Sequence, residues 1–311
     1  MKELVVISGK GGTGKTTLVG SFAALAGRSV LADCDVDAPD LYLLLHPEIH
    51  WQEEFRAGHV AVIAPQRCTR CGRCLEVCRF EAITLALKVE SLNCEGCGAC
   101  RVVCPAEAVE LVERRAGDWF RGQTKYGPMV YARLRPAEEN SGKLVALVRK
   151  EARAWAEREG IGLLLTDGPP GIGCPVIASL GNADLALIVT EPSPSGVHDL
   201  ERALTLCRHF QVPAVVCVNK FDLNPDLERE IRDSCVRSRI PVTESIPFDE
   251  SVSRAICQGV PLVEFGDGPA SRVIISVWRE VQQHFLKGGK KQYHEVTEPA
   301  PWAGDLESDA Q

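Results

Sequence analysis

Residues 4–7, Leu-Val-Val-Ile, form an unbroken apolar run that stops at Ser8 and a glycine-rich stretch, and helical spacing of apolar residues then runs from Thr16 to about Ala26. The pattern predicts strand, loop, helix. Further apolar runs at about 29–33, 60–64, 162–166, 185–190, 215–218 and 242–246 are separated by segments long enough for helices. Strands that are apolar throughout are buried on both faces, so the alternation predicts an α/β fold, a mostly parallel sheet covered by helices on both faces. Residues 141–159 carry Leu144, Val145, Leu147, Val148 and Trp155 on one broad face, which predicts a helix lying on the sheet. Residues 270–287 space Ile274, Val277, Trp278, Val281 and Phe285 three and four apart. That stripe, followed by Lys287, Lys290 and Lys291, would also suit a membrane surface, but closing the core is its plainer use.

The rhythm breaks once. From residue 65 to 115 the sequence is cysteine-rich and loop-like, and 116–140 is irregular, with Gly, Pro and aromatic residues. The expected organisation is therefore 1–64 as the first part of an α/β domain, 65–115 as a small inserted α+β module, 116–140 as its return connector and 141–287 as the second part. Residues 288–311, with two prolines, five acidic residues and little to bury, are expected to be a disordered tail.

At 311 residues, 45% hydrophobic and 25% charged, the composition is that of a globular protein with no apolar run of transmembrane length. The start MKELVVISGKGG lacks the features of a signal peptide, so a cytoplasmic location is expected, with no stable membrane association. A net charge of -7 argues against a general nucleic-acid binder, since such binding needs a basic face. Of fourteen cysteines, eight fall between 68 and 104. The other six, Cys34, Cys174, Cys207, Cys217, Cys235 and Cys257, are expected as buried small hydrophobes.

Gly9-Lys10-Gly11-Gly12-Thr13-Gly14-Lys15-Thr16 matches G-x-x-x-x-G-K-[ST] between a predicted strand and helix, with Thr17 following. The glycines let successive N–H groups turn toward phosphate oxygens at the positive end of a helix. Lys15 is placed to reach the terminal phosphates, and the Thr16 hydroxyl to bind Mg2+. Asp33 and Asp35 sit at the carboxyl end of the second apolar run and Asp167 at that of a later one, where an open parallel sheet holds its ligand. Asp33 and Asp167 read as partners of a Mg2+ shell and Asp35 as the group positioning an attacking water; a helix cap or solvating strand end is the other use for Asp33. Gly168-Pro169-Pro170-Gly171 reads as a turn whose glycines swing toward a γ-phosphate.

Lys10-Gly11-Gly12-Thr13-Gly14-Lys15-Thr16 resembles the deviant P-loop of the MinD superfamily, which includes partition ATPases, Mrp-type iron–sulphur carriers and the nitrogenase iron protein. The stretches Asp33-Cys34-Asp35, Asp167–Gly171 and Thr190–Gly196 resemble that family's switch and later loops. The resemblance implies ATP hydrolysis, a homodimer in which Lys10 reaches the partner's nucleotide, and adenine contact by Asn219. The run Asn219-Lys220-Phe221-Asp222 also fits the N-K-x-D by which GTPases read guanine. Against that, Asp222 leads into Asn224-Pro225, which looks like a helix cap followed by a first-turn proline, and ATP is the favoured nucleotide.

Cys68-x2-Cys71-x2-Cys74-x3-Cys78 is followed by Cys94-x2-Cys97-x2-Cys100-x3-Cys104-Pro105. At this chain's cysteine frequency such a run follows a given cysteine by chance about once in ten thousand, and it occurs twice, so accident is excluded. Thiolates two residues apart wrap three corners of an iron–sulphur cubane, and the fourth cysteine of each run ligates the other cluster. This assigns one [4Fe-4S] to Cys68, Cys71, Cys74 and Cys104 and the other to Cys94, Cys97, Cys100 and Cys78. Paired zinc sites suit four-cysteine runs poorly. The module resembles a bacterial two-cluster ferredoxin, departing from it at Arg79, where a proline is usual. The whole resembles MinD-superfamily ATPases with an inserted ferredoxin domain, which implies a nucleotide cycle gating electron transfer to a redox partner protein. The alternatives are a carrier delivering clusters to apoproteins, though no C-x-x-C lies outside 68–104, and a MinD-like positional ATPase.

Overall fold

The computed structural model describes residues 1–136, 138 and 141–286. The expectations for Lys287, Lys290, Lys291 and the 288–311 tail lie outside the described residues. Eight strands are present among them, β1 (Lys2–Ser8), β2 (Val30–Asp33), β3 (Glu48–Ile63), β4 (Val109–Thr124), β5 (Gly127–Leu134), β6 (Leu163–Pro170), β7 (Leu185–Thr190) and β8 (Ala214–Val218), in the sheet order β3-β4-β5-β2-β6-β1-β7-β8. The helices are α1 (Lys15–Ala26), α2 (Leu41–Leu45), α3 (Arg73–Val77), α4 (Ala99–Val102), α5 (Ser141–Glu159), α6 (Cys174–Leu180), α7 (Pro194–His209), α8 (Pro225–Arg237), α9 (Ser251–Cys257), α10 (Leu262–Phe265) and α11 (Pro269–Leu286). The chain forms two compact units. The first comprises Met1–Trp51, Phe120–Ala132 and the chain from Gly142 onward; the second comprises Gln52–Trp119 and Arg133–Ser141.

In the first unit β2, β6, β1, β7 and β8 pair in parallel, with β5 parallel to β2. Successive β1 residues point to opposite faces. Leu4 and Val6 join α1, α2, α10 and α11 in one apolar core, while Val5 and Ile7 join α6, α7 and α8 in another. The sheet is therefore mostly parallel and covered on both faces, as the apolar runs predict. In α11, Ile274, Val277, Trp278 and Val281 are buried in the first core, so this stripe closes the fold. Among the described residues no helix is long and apolar enough to cross a membrane.

A polar knot runs through this unit. The Glu3 carboxylate, 1% exposed, accepts from Arg149 Nε and Nη2, each at 2.9 Å, from Thr166 Oγ1 at 2.9 Å, and from Arg153. Arg149 also donates to the carbonyls of Ala178 at 2.6 Å and Gly181 at 2.9 Å. One buried ion pair thus ties β1, β6, α5 and the end of α6 together. Removing one partner of such a pair strands the other charge and costs about 3–5 kcal/mol.

Four expectations are corrected. The connector at 116–140 is not irregular, because β4 and β5 form a hairpin turning at Lys125–Tyr126. The strand expected at 60–64 is the end of the sixteen-residue β3, whose first seven residues are all exposed and so show no apolar run. No strand forms at 242–246, where Val242 and Ile246 make single bridges to Val216 and Asn219. Of the six scattered cysteines, Cys34, Cys207, Cys217 and Cys235 are buried, but Cys174, opening α6, and Cys257, ending α9, are exposed.

The second unit has its own small core of Ala61, Cys74, Ala82, Ile83, Cys94, Cys100 and Val109. Its two cysteine runs, twenty-six positions apart, share one backbone. Arg70 and Gly96 are left-handed at φ 56 and 61, Gly72 and Gly98 at φ 80 and 79, and Glu81 and Glu107 at φ 52 and 48. Cys78 N–H bonds to Leu75 O at 3.3 Å as Cys104 N–H does to Arg101 O, and Glu81 to Cys78 O at 3.2 Å as Glu107 to Cys104 O. The bond from Ala64 N to Ala108 O, 2.8 Å, has its mate in Glu90 N to Ala82 O, 2.7 Å, with the halves exchanged.

Candidate functional site

The P-loop joins β1 to α1 at the centre of the first unit's sheet. Gly14 opens α1 at φ 97; no side chain caps the helix and its first turn holds no acid, so its leading N–H groups are left for an anion. A side chain at Gly14 would meet Asn219 Nδ2 at 2.4 Å, and one at Gly9 would meet Asp199 Cβ at 2.1 Å, so both positions require glycine for close approach, and Gly14 for its left-handed turn as well. Lys15 is buried, 6% exposed, and its Nζ donates to Ser8 Oγ at 3.0 Å, while Ser8 donates to Lys10 O at 2.6 Å. Ser8 thus parks the lysine beside the loop, a role that its type at a strand end does not announce.

Asp33 and Asp167 are register partners on adjacent parallel strands. Thr16 Oγ1 donates to Asp167 Oδ2 at 2.7 Å. Burial pushes the Asp167 carboxyl up to about 7, against the pull of Lys15 and of the Thr16 hydroxyl. Burial likewise raises Asp35 to about 6 against Lys15, and burial with the charges of Asp167 and Asp35 pushes Asp33 well above the carboxylate range. Asp167 Oδ1 and Thr13 Oγ1 are buried without a hydrogen-bond partner. The bare Asp167 oxygen and the Thr16 hydroxyl on that carboxylate's other oxygen are donors of the kind a hard divalent cation takes. Asp33 has a further employment, its oxygens accepting from Asp35 N at 3.2 Å and Leu41 N at 3.1 Å, so it caps the entry to α2. The swinging turn expected at 168–171 is not there. Gly168 and Pro170 lie within β6, a side chain at Gly168 would meet Val6 O at 2.7 Å, and only Gly171 turns, at φ 89.

Lys10 is held within its own chain. Its Nζ lies 2.5 Å from Glu191 Oε1 and donates to Ser193 Oγ at 3.2 Å and Ser195 Oγ at 3.3 Å. Lys220 reaches Glu191 Oε2 at 3.3 Å and donates to Gly12 O at 3.0 Å. Burial works against the Glu191 charge, but the two lysines hold it below the usual carboxylate range. Asn219 donates to Thr13 O at 2.7 Å and accepts from Lys220 N at 3.0 Å, so both ends of its carboxamide brace the P-loop region. Asp222 accepts from Phe248 N at 2.7 Å, and Asn224 caps α8 by accepting from Leu227 N at 3.1 Å. Glu191 and Lys220 stand in stretches the sequence singles out, yet their partnership with residues 180 or more positions away has no local signature.

In the second unit Cys68, Cys71, Cys74 and Cys104 line one pocket, together with Ile63, Leu87 and Val109. Cys94 and Cys97 lie close enough to Cys100 to raise its thiol by their charge, after burial as the main cause. The twenty-six-residue relation maps the first four cysteines onto Cys94, Cys97, Cys100 and Cys78. Backbone N–H groups point at sulfur from Arg70 to Cys68 at 3.4 Å, from Ala61 to Cys94 at 3.5 Å and from Ala108 to Cys104 at 3.3 Å. Among the described residues no group of three or more His, Cys, Asp or Glu side chains is arranged to hold a metal ion. The fit therefore rests on donor chemistry and placement: two fours of thiols, one lining a pocket, with N–H donors of the kind that stabilise cluster sulfur.

The family described as the CobQ/CobB/MinD/ParA nucleotide binding domain, CbiA, matches residues 4–262. An uncharacterized protein of Methanocaldococcus jannaschii is 34% identical over 271 residues, 84% of this chain and 90% of its own length. The iron-sulfur cluster carrier protein of Pyrococcus abyssi is 23% identical over 312 residues, covering 93% of this chain and 89% of that protein. In fold, the septum site-determining protein MinD of Pyrococcus horikoshii, solved with Mg-ADP, superposes at a TM-score of 0.56 over 94% of this chain and 99% of its own, at 17% identity. With its P-loop, strand-end acids and parallel sheet, the chain belongs to the CobQ/CobB/MinD/ParA nucleotide-binding family.

Proposed function

We propose that this protein is a Mg2+-dependent ATPase that uses its nucleotide cycle, in a homodimer, to gate electron transfer through two [4Fe-4S] clusters to a partner protein. The observation that carries it is the coexistence, in one chain, of a P-loop cradle with bare donors and a unit built on eight cysteines in two equivalent halves. The strands β3, β4 and β5 each contribute residues to both units, and with the return at Ser141 and Gly142 the chain passes from one unit to the other four times.

The P-loop N–H groups would cradle the phosphates of ATP, and Lys15 would exchange the Ser8 hydroxyl for a phosphate oxygen. Thr16 and Asp167 are the residues to hold Mg2+, which when bound neutralises charge on the phosphates. Asp35 orients the water that attacks the γ-phosphorus; the bond to the β–γ bridging oxygen breaks, giving ADP and phosphate. Lys10 must leave Glu191 before it can meet a nucleotide across a dimer interface. Cys68, Cys71, Cys74 and Cys104 would hold one cluster and Cys94, Cys97, Cys100 and Cys78 the other, and such clusters supply one-electron carriers.

Anaerobically prepared protein is expected to contain about eight iron atoms per chain, with a redox midpoint that differs between Mg-ATP and Mg-ADP. It should reduce its partner at different rates with ATP, with a nonhydrolysable analogue and without nucleotide. Absence of iron and acid-labile sulphide, or equal rates in all three conditions, overturns the reading. A carrier role is the second reading, favoured by similarity to the Pyrococcus carrier protein along most of both chains. Transfer of iron from the loaded protein to an apo-acceptor, faster with ATP, would select it.

A further inference from the structure

The two halves of the second unit share a backbone but not a charge. Along 67–79 stand Arg67, Arg70, Arg73 and Arg79 against the single acid Glu76. Their mates twenty-six residues on are Asn93, Gly96, Ala99 and Pro105, and the only charges along 93–105 are Glu95 and Arg101. One loop thus carries a net +3 and its twin none.

The arginines are placed at a cost. Arg70 keeps the left-handed backbone, φ 56, that Gly96 adopts at φ 61, a conformation natural to glycine and strained for a side chain. Arg70 and Arg73 are exposed and make no ion pair among the described residues, and Arg79 lies over the Phe80 ring, 5.1 Å from its centre. Arg67 alone is neutralised, by Glu110. Arg73 also borders an open groove between α3 and α4, lined as well by Glu76, Val77, Val102, Val103, Cys104 and Pro105, so residues of both halves form it. Val102 is 85% exposed there, and the half-buried Cys104 lines both this groove and the separate pocket that the exposed Cys71 also lines.

Exposed arginines beside a partly apolar groove suit a protein surface of opposite charge, because charge steers the encounter and apolar contact then holds it. We propose that the arginine-bearing loop, with the edge of the groove that Arg73 borders, is the docking surface for an acidic protein partner, held by charges at Arg70, Arg73 and Arg79 that the twin loop lacks. The docking itself needs no redox chemistry; that the partner accepts an electron there rests on the function proposed above.

The test transplants the twin loop. Arg70→Gly with Arg73→Ala copies Gly96 and Ala99, and glycine suits the backbone at 70, so the double variant should fold and keep its iron absorbance. Fluorescence anisotropy of a labelled polyglutamate peptide with the full iron-loaded chain is expected to show affinity about tenfold weaker in this variant and unchanged in Glu95→Gln. In stopped flow, dithionite-reduced protein should pass one electron to the flavin of an acidic flavodoxin. That rate should fall with ionic strength in the unaltered protein and drop about tenfold in the double variant at low salt. Unchanged affinity and rate in the variant overturn the proposal. Oligothymidylate bound as tightly as polyglutamate and lost in the same variant also overturns it, in favour of nucleic acid. Peptide binding lost in the variant, from a protein that never reduces flavodoxin, upholds the docking surface and removes the electron-transfer reading instead.

Discussion

The nucleotide cradle and the cysteine module are held together by contacts of opposite reach. In the first unit Thr16 meets Asp167, Thr13 meets Asn219 and Lys10 meets Glu191, pairings that span more than 150 residues each and are braced by a core on both faces of the sheet. In the second unit the loops around Cys71 and Cys97 are set by bonds three or four residues long and by left-handed turns, over a core of seven buried residues, three of them cysteine. A site made from distant segments is ordered by the whole fold and stands ready without its ligand. A site made from local turns over so small a core borrows its stability from whatever the thiols bind.

The largest expected effect follows from that contrast. Stripping iron from the loaded protein with an anaerobic chelator should speed amide hydrogen exchange at Ala61, Arg70 and Ala108 by about a thousandfold, while the amides of Val5, Leu165 and Ile188 stay protected. Equal acceleration in both units would break the comparison. The converse experiment acts on the first unit alone. Arg149→Met leaves the buried Glu3 carboxylate without its main partner and should cost about 3–5 kcal/mol, a drop of roughly 10 °C in the melting midpoint with iron content unchanged. Adding Glu3→Gln should recover more than half of that loss, because the stranded charge and not the missing contact carries most of the cost.

The same contrast decides what the amino-acid sequence discloses. β1, β2, β6, β7 and β8 are buried on both faces and therefore write themselves as unbroken apolar runs, and α5 and α11 as stripes of matching period. β3 begins with seven exposed residues, and β4 interleaves Glu110, Glu113, Arg114 and Arg115 with its apolar positions, so neither shows a run, and the hairpin passes for a connector. The P-loop and the cysteine runs are legible because their chemistry is fixed by spacing over a dozen residues. Ser8, Glu191, Lys220 and Arg149 are not, since each acquires its task from a partner that only folding brings near. Arg149 is the sharpest instance, a charged residue on the buried face of α5 amid Val145, Val148 and Ala152, where the pattern alone would predict another apolar side chain.

Two smaller effects separate the chemistry of the cradle from its scaffolding. Lys15→Ala removes the one lysine buried beside the loop, and ATP hydrolysis, followed as phosphate release, should fall by at least about a hundredfold. The iron–sulphur absorbance should stay as it was. A parallel loss of absorbance would mean that the cysteine unit depends on the cradle, contrary to the short reach of its contacts.

Asn219→Ala should have the smallest effect and the most to say about the nucleotide. The side chain spends both of its ends within the first unit, on Thr13 O and Lys220 N, which makes it a brace for the P-loop whatever base lies nearby. Removing one such hydrogen-bonding side chain costs about 1–1.5 kcal/mol, so Mg-ADP should bind about tenfold more weakly with the melting midpoint little moved. If bracing is its whole task, Mg-GDP must weaken by the same factor, since the phosphates are common to both. If Asn219 also reads the purine, Mg-ADP alone weakens by the larger factor and the gap between the two nucleotides narrows in the variant. Titrating both diphosphates against both proteins therefore separates a strut from a specificity determinant, and a gap unchanged by the substitution would assign base choice to other residues of the site.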